Sequence, residues 1–114
     1  MVQEPAMAWV YLIIAGILEI LWAFTLKQSD GFTRLVPSII TVVTMIGSFG
    51  LLSLSMRTLP LGTSYVMWTG IGAIGTFLVG ITFLGEAVNP TRIVAAILIV
   101  GGLLLMKFST NFET

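Results

Sequence analysis

Glu19 is the one charged side chain inside an otherwise apolar stretch of membrane-spanning length, while the chain's other charged residues fall in tails, predicted connections or segment ends. A carboxylate at the bilayer centre costs on the order of 2 to 3.5 kcal/mol on insertion scales, so a chain that keeps one there generally uses it to bind a proton or a cation. Residues three, four and seven positions away on a helix share its face, which gives Leu12, Ala15, Gly16, Trp22, Ala23 and Leu26. The small ones let a second backbone approach, and Trp22 sets an amphipathic ring one turn from the acid. Two later segments supply groups of matching chemistry. Thr41, Thr44, Ser48 and Ser55 form a hydroxyl stripe, and Tyr65, Trp68, Thr69, Gly72 and Thr76 lie along one face with a phenol, an indole and two further hydroxyls. A pocket assembled from these would be anionic, aromatic-walled and rich in donors.

Each group also has a plainer use. Ser and Thr in membrane helices bond the carbonyl four residues back or tie one helix to another. Trp and Tyr sit at the headgroup level, a description that fits Trp9 and Tyr11 but not the deeper Trp22, Tyr65 and Trp68. Lys27, Asp30, Arg34, Arg57 and Glu86 read as interfacial anchors, and Lys107 as a snorkelling side chain. A buried Glu19 can also be a neutral structural acid.

The elements that would position these residues are helices. A chain of 114 residues that is 57% hydrophobic and 9% charged lies outside the range of soluble domains. It reads as an all-α integral membrane protein, a single domain over residues 1–114. Four apolar segments, about 9–26, 35–56, 61–83 and 91–108, each approach the roughly 20 residues that cross a bilayer. Gly31 suits a helix C-terminus, and Asn89-Pro90 suits an N-cap followed by the first helical position. Residues 1–6 and 109–114 read as loosely ordered polar tails, and the first apolar run as a retained helix, since it lacks a basic leader and a cleavage site. With neither cysteine nor histidine, disulfide, thiolate and imidazole chemistry are excluded. No cofactor and no metal are expected, and the zero net charge points to no nucleic acid.

The loop charges are balanced. Arg57 and Lys107 would lie on one side of the membrane and Lys27, Arg34 and Arg92 on the other, a bias too weak to fix one orientation strongly. Insertion both ways would let two copies pair antiparallel as a dual-topology homodimer, giving across two chains the inverted symmetry that many transporters hold within one. The alternative is one orientation fixed by details that the count misses. Gly70, Gly72, Gly75 and Gly80 make the third segment a candidate hinge, with Gly16 a packing position on the first; the same glycines also suit ordinary close packing. The fourth segment has no polar stripe and offers Ala95, Ala96, Gly101 and Gly102 as a small-residue surface for a dimer contact.

Several of these motifs together resemble the small multidrug resistance transporters: Gly31-Phe32-Thr33-Arg34-Leu35 followed by Pro37-Ser38, the central Glu19, and Tyr65-Val66-Met67-Trp68-Thr69-Gly70-Ile71-Gly72. The likeness covers nearly the whole chain, and Glu19-Ile20-Leu21-Trp22-Ala23 resembles the guanidinium-exporter subtype. The resemblance implies an antiparallel homodimer in the bacterial inner membrane, in which two Glu19 carboxylates are shared by protons and substrate. It also implies that Trp22, Ser48, Tyr65 and Trp68 shape the site, with Ser48 and Trp68 bonded to the glutamates. Ala95 departs from the glycine that multidrug members often carry there, whereas Gly102 is retained.

The expected function is therefore proton-coupled export of guanidinium and small guanidinyl cations, not catalysis. Export of quaternary ammonium or hydrophobic aromatic cations is the alternative. A passive channel and a non-transporting helper subunit stay open beside both: uncoupled flux would mark the first, and failure to move any cation the second.

Overall fold

The computed structural model describes residues 5–112. Among them the chain forms four α-helices in sequence: α1 Pro5–Gln28, α2 Leu35–Ser55, α3 Leu61–Leu84 and α4 Pro90–Phe112. Each is long and apolar enough to cross a bilayer, and at 1.5 Å per residue the 24 residues of α1 or α3 run about 36 Å. A lipid-spanning backbone must satisfy its own polar groups, and the helical ladder does this whatever the side chains are. For that reason α1 and α4 run past the apolar cores assigned from sequence. Residues 5 and 6 and residues 109–112, expected in loose tails, continue helices; residues 1–4, 113 and 114 lie outside the described residues.

The connections are closed by local hydrogen bonds. After α1, Asp30, Gly31 and Phe32 all take left-handed φ values of 50°, 70° and 66°, so the turn uses two non-glycine residues besides the expected glycine. Ser29 holds it: its Oγ donates to the Leu26 carbonyl at 2.7 Å and accepts the Phe32 N–H at 3.1 Å. Before α4, Asn89 caps as its type predicts, its Oδ1 accepting the Arg92 N–H at 2.9 Å, with Pro90 the first helical residue.

Packing inverts the pattern of a soluble protein. Apart from Leu12, the fully buried positions are small or hydroxylic, with Ala8, Ala15, Ser29, Thr41, Ser48, Ser55 and Ser64 all at 0% exposure, while Leu35, Phe83, Leu98 and Leu105 are each at least 70% exposed. Lipid solvates leucine as well as a core does, so helices associate where small residues let backbones close and hydroxyls find partners. Helix α1 is central. It packs against α2 and α3, and α4 packs chiefly on α3. The chain's extents of 45 × 36 × 16 Å make a slab little deeper than one helix with its side chains.

Two hydroxyl contacts stitch α1 to α2: Thr25 Oγ1 and Thr41 Oγ1 at 2.7 Å, and Ser48 Oγ donating to the Ala15 carbonyl at 2.7 Å. Helix α3 is unbroken from Leu61 to Leu84, and its glycines other than Gly62 receive side chains. A Cβ on Gly70 would overlap Leu103 of α4, one on Gly75 would overlap Ile20 of α1, and one on Gly16 of α1 would meet Ile71. At these positions the close approach of a neighbouring helix accounts for a glycine.

Candidate functional site: a carboxylate groove between α1 and α3

The α1–α3 crossing places Glu19 against Gly72. A Cβ at Gly72 would overlap the Glu19 carboxyl group, so only glycine leaves room for the acid to lie on the α3 backbone. The carboxyl opens into a groove of about 400 Å³ lined by Glu19, Trp22, Ala23, Thr69, Gly72, Ala73, Thr76, Phe77, Glu86 and Arg92. Helical spacing accounts for this set on both walls, since Trp22 and Ala23 lie three and four residues from Glu19, and Thr69, Gly72, Ala73 and Thr76 repeat at three and four along α3. Glu19 Oε1 and Trp22 Nε1 are both buried, and neither has a hydrogen-bond partner within the described residues. A buried acceptor and a buried donor one helical turn apart, neither with a partner among the described residues, are costly in a finished core and suited to a ligand-binding surface.

Ser48 and Trp68 stand beside this groove rather than in it. The Trp68 Nε1–H donates to Ser48 Oγ at 3.0 Å, and Ser48 spends its single proton on the Ala15 carbonyl. Within one chain neither reaches the Glu19 carboxyl, because the hydroxyl that would donate to it is already committed. The Ala15 carbonyl is the one that the α1 ladder pairs with the Glu19 N–H. Trp68 and Ser48 thus hold the backbone turn that carries Glu19.

The other hydroxyls of the α2 stripe are also satisfied on backbone. Thr41 donates to Pro37, Thr44 to Ile40 and Ser55 to Leu52, at 2.8, 2.7 and 2.7 Å. Within one chain, then, Thr44 and Ser55 bond their own helix, while Thr41 and Ser48 also tie α2 to α1.

Tyr65 is half exposed and faces a second groove, of about 470 Å³ between α3 and α4, with Thr69, Gly70, Gly102 and Leu103 among its walls. Its ring joins a series that crosses three helices. Tyr65 to Trp68, Trp68 to Phe49 and Phe49 to Trp22 have centroid separations of 5.7, 5.6 and 6.4 Å, all within the range of attractive aromatic pairs. Phe49 links Trp22 to Trp68 and was not singled out by sequence reasoning. As a phenylalanine in an apolar helix it carries no signal of its own, and only its place next to Ser48 pointed to it.

Phe77, Glu86 and Arg92 were likewise missed as groove residues. Glu86 resembles an interfacial charge in sequence, but the left-handed Gly85 (φ 67°) turns the chain so that the Gly85 and Glu86 N–H groups both return to the Gly80 carbonyl. The Glu86 carboxyl then lies against Gly80, where a Cβ would overlap it. On α4, Ala95 borders a small cavity with Phe77 and Arg92, whereas a Cβ at Gly101 or Gly102 would meet nothing within 4 Å. Lys107, expected to snorkel, lies with its ammonium 4.7 Å from the Trp9 ring centre, a cation–π contact between the two chain ends.

Four apolar spans around one intramembrane acid define a multi-pass membrane protein of the transporter type. The profile of the Small Multidrug Resistance protein family matches residues 7–100, and the chain belongs to that family. It is 53% identical over 105 residues to the "Guanidinium exporter" of Citrobacter freundii and to that of Salmonella typhimurium, and 51% identical to that of Escherichia coli (strain K12). Each alignment covers 92% of this chain and 100% of the relative. Bacterial relatives and four apolar helical spans indicate the inner membrane.

Proposed function

We propose that this protein exports guanidinium and small guanidinyl cations in exchange for protons, and that it works as an antiparallel homodimer with Glu19 of each chain in a shared site. The observation that carries the reading is the Glu19 carboxyl itself, which lies in an aromatic-walled groove with a buried oxygen that no group among the described residues satisfies. The names and identity of the relatives support guanidinium as the substrate.

Guanidinium is planar, permanently charged, and offers paired N–H donors that match a carboxylate edge. A proton and a guanidinium compete for the same oxygens, so loading one expels the other. Two such carboxyls in one pocket titrate as a coupled pair. If the dimer turns its open side only when the site is filled, a proton gradient drives the cation outward. Trp22 would wall the cation, and Trp68 and Ser48 would hold the α1 turn beneath the acid.

The shape of the single chain supports the dimer. The slab is 16 Å deep, α4 packs chiefly on α3, and α4 leaves the backbone at Gly101 and Gly102 open beside exposed Ile97, Leu98 and Leu105. Balanced loop charges support insertion in both directions.

The test is purified protein in liposomes, with currents recorded for guanidinium and tetraethylammonium under an imposed pH gradient. Guanidinium current that depends on the gradient, with little from tetraethylammonium, is expected. Glu19→Gln should remove the coupled current while the dimer stays folded, since losing the charge also removes a burial cost. Coupled guanidinium transport at near wild-type rate in that variant would overturn the mechanism, and a larger tetraethylammonium current would favour a multidrug exporter.

A further inference from the structure

The groove that holds Glu19 also holds a guanidinium belonging to the chain. Arg92 lies in its wall with its guanidinium carbon 5.6 Å from the centre of the Phe77 ring, and its Nη1 donates to the Ala87 carbonyl at 2.9 Å. The helix itself gives no reason for a cation there. Arg92 is in the first turn of α4, where the positive end of the helix dipole disfavours positive charge. What it gains is a ring face and a carbonyl, the two surfaces that suit a guanidinium.

Glu86 lines the same groove. Two local features put it there: the left-handed Gly85, which reverses the chain, and the bare Gly80, which gives its carboxyl a seat on α3. No ion pair joins Glu86 to Arg92 among the described residues; Arg92 is engaged with Ala87 and Phe77 instead. At its α3–α4 end the groove therefore presents one separate anion and one separate cation in the same wall as Glu19.

We propose that Glu86 and Arg92 set entry to the Glu19 groove by opposed charge, Glu86 drawing a small cation in and Arg92 occupying a guanidinium-shaped seat on Phe77 and Ala87 that holds cations back. The inference rests on the function proposed above. A cavity of about 400 Å³ is roughly 7 Å on a side, within the Debye length of about 8 Å at physiological salt, so charges in its wall act on an entering cation before counter-ions screen them. Such a pair changes how readily the site fills rather than how fast the loaded protein turns. It also filters by size, since a bulky cation must displace Arg92 where a small one passes.

The experiment compares guanidinium KM and maximal current for the full-length protein in liposomes, at low and high salt, in wild type, Glu86→Gln, Arg92→Gln, the double variant and Arg92→Lys. Glu86→Gln should raise KM about three- to tenfold and Arg92→Gln should lower it by a similar factor, as expected for steering by single charges. Maximal current should change little. The double variant and Arg92→Lys should return toward wild type, and every shift should shrink at high salt. Variants that lose maximal current at unchanged KM, or whose KM shifts share one sign or ignore salt, would show that the two residues only brace the α3–α4 corner and would overturn the proposal. Absence of guanidinium current in wild type would overturn the proposed function and this inference with it; wild-type current with unshifted KM in all variants would overturn this inference alone.

Discussion

Replacing Ser48 with alanine tests whether the chain from Trp68 to Ser48 to Ala15 holds the Glu19 turn. The substitution removes two hydrogen bonds, of 3.0 and 2.7 Å, at a side chain with 0% exposure. They are not equal losses. The Ala15 carbonyl keeps its bond within the α1 ladder, whereas the Trp68 N–H, in a residue 7% exposed, is left buried without an acceptor. An orphaned buried donor costs about 1 to 3 kcal/mol, and the bond to a carbonyl that is already satisfied adds about 0.5 to 1 kcal/mol. Ser48→Ala should therefore destabilise by about 1.5 to 4 kcal/mol and weaken guanidinium transport.

The informative partner is Trp68→Phe, which removes the donor. In the double variant no donor is orphaned, so its loss should be smaller than the sum of the single losses by about 1 kcal/mol or more. The measurements are denaturation of the detergent-solubilised protein and guanidinium KM in liposomes, both run as a double-variant cycle. Losses that add to within about 0.5 kcal/mol would mean that the two residues act independently, and the relay would be refuted.

Trp22→Gly should widen the groove beside Glu19 and raise the ratio of tetraethylammonium or alkyl-guanidinium current to guanidinium current; an unchanged ratio would place selectivity elsewhere. Gly72→Ala puts a methyl group where the Glu19 carboxyl lies, so the acid must turn away, and guanidinium KM should rise about tenfold or more, while a change at the open Gly101 should not perturb the acid within one chain. Because proton and cation compete, the apparent guanidinium KM should rise as pH falls, by up to about tenfold per unit for each proton displaced, and a KM flat between pH 6 and 9 would contradict a shared site. A C-terminal reporter on the unmodified chain should appear on both sides of the membrane, and one or two added lysines at either end should bias it; a reporter found on one side alone would refute dual topology.

The sequence by itself determined the membrane, the four spans and the identity of the acid. Those follow from hydropathy summed over roughly 20 residues and from the expense of one charge within it, and neither needs a partner helix to be read. Helical spacing also placed Trp22 and Ala23 beside Glu19, and Thr69, Gly72 and Thr76 on one face, because both walls of the groove repeat at three and four.

Which hydroxyl bonds which group was decided only by the tertiary structure. Ser48 and Thr41 lie on the same stripe, yet the first reaches the Ala15 carbonyl and the second meets Thr25, and these partners depend on how α2 sits against α1. The same holds for Gly72, whose need for a bare Cα comes from Glu19 on another helix. Glu86 and Arg92 illustrate the limit most clearly. In sequence they are loop and helix-end charges like any others, and what brings them into the groove is a left-handed Gly85, a bare Gly80 and the ring of Phe77. Periodicity reports the face of a single helix. The partner across that face is set by the crossing of two helices, which the residues of neither one specify alone.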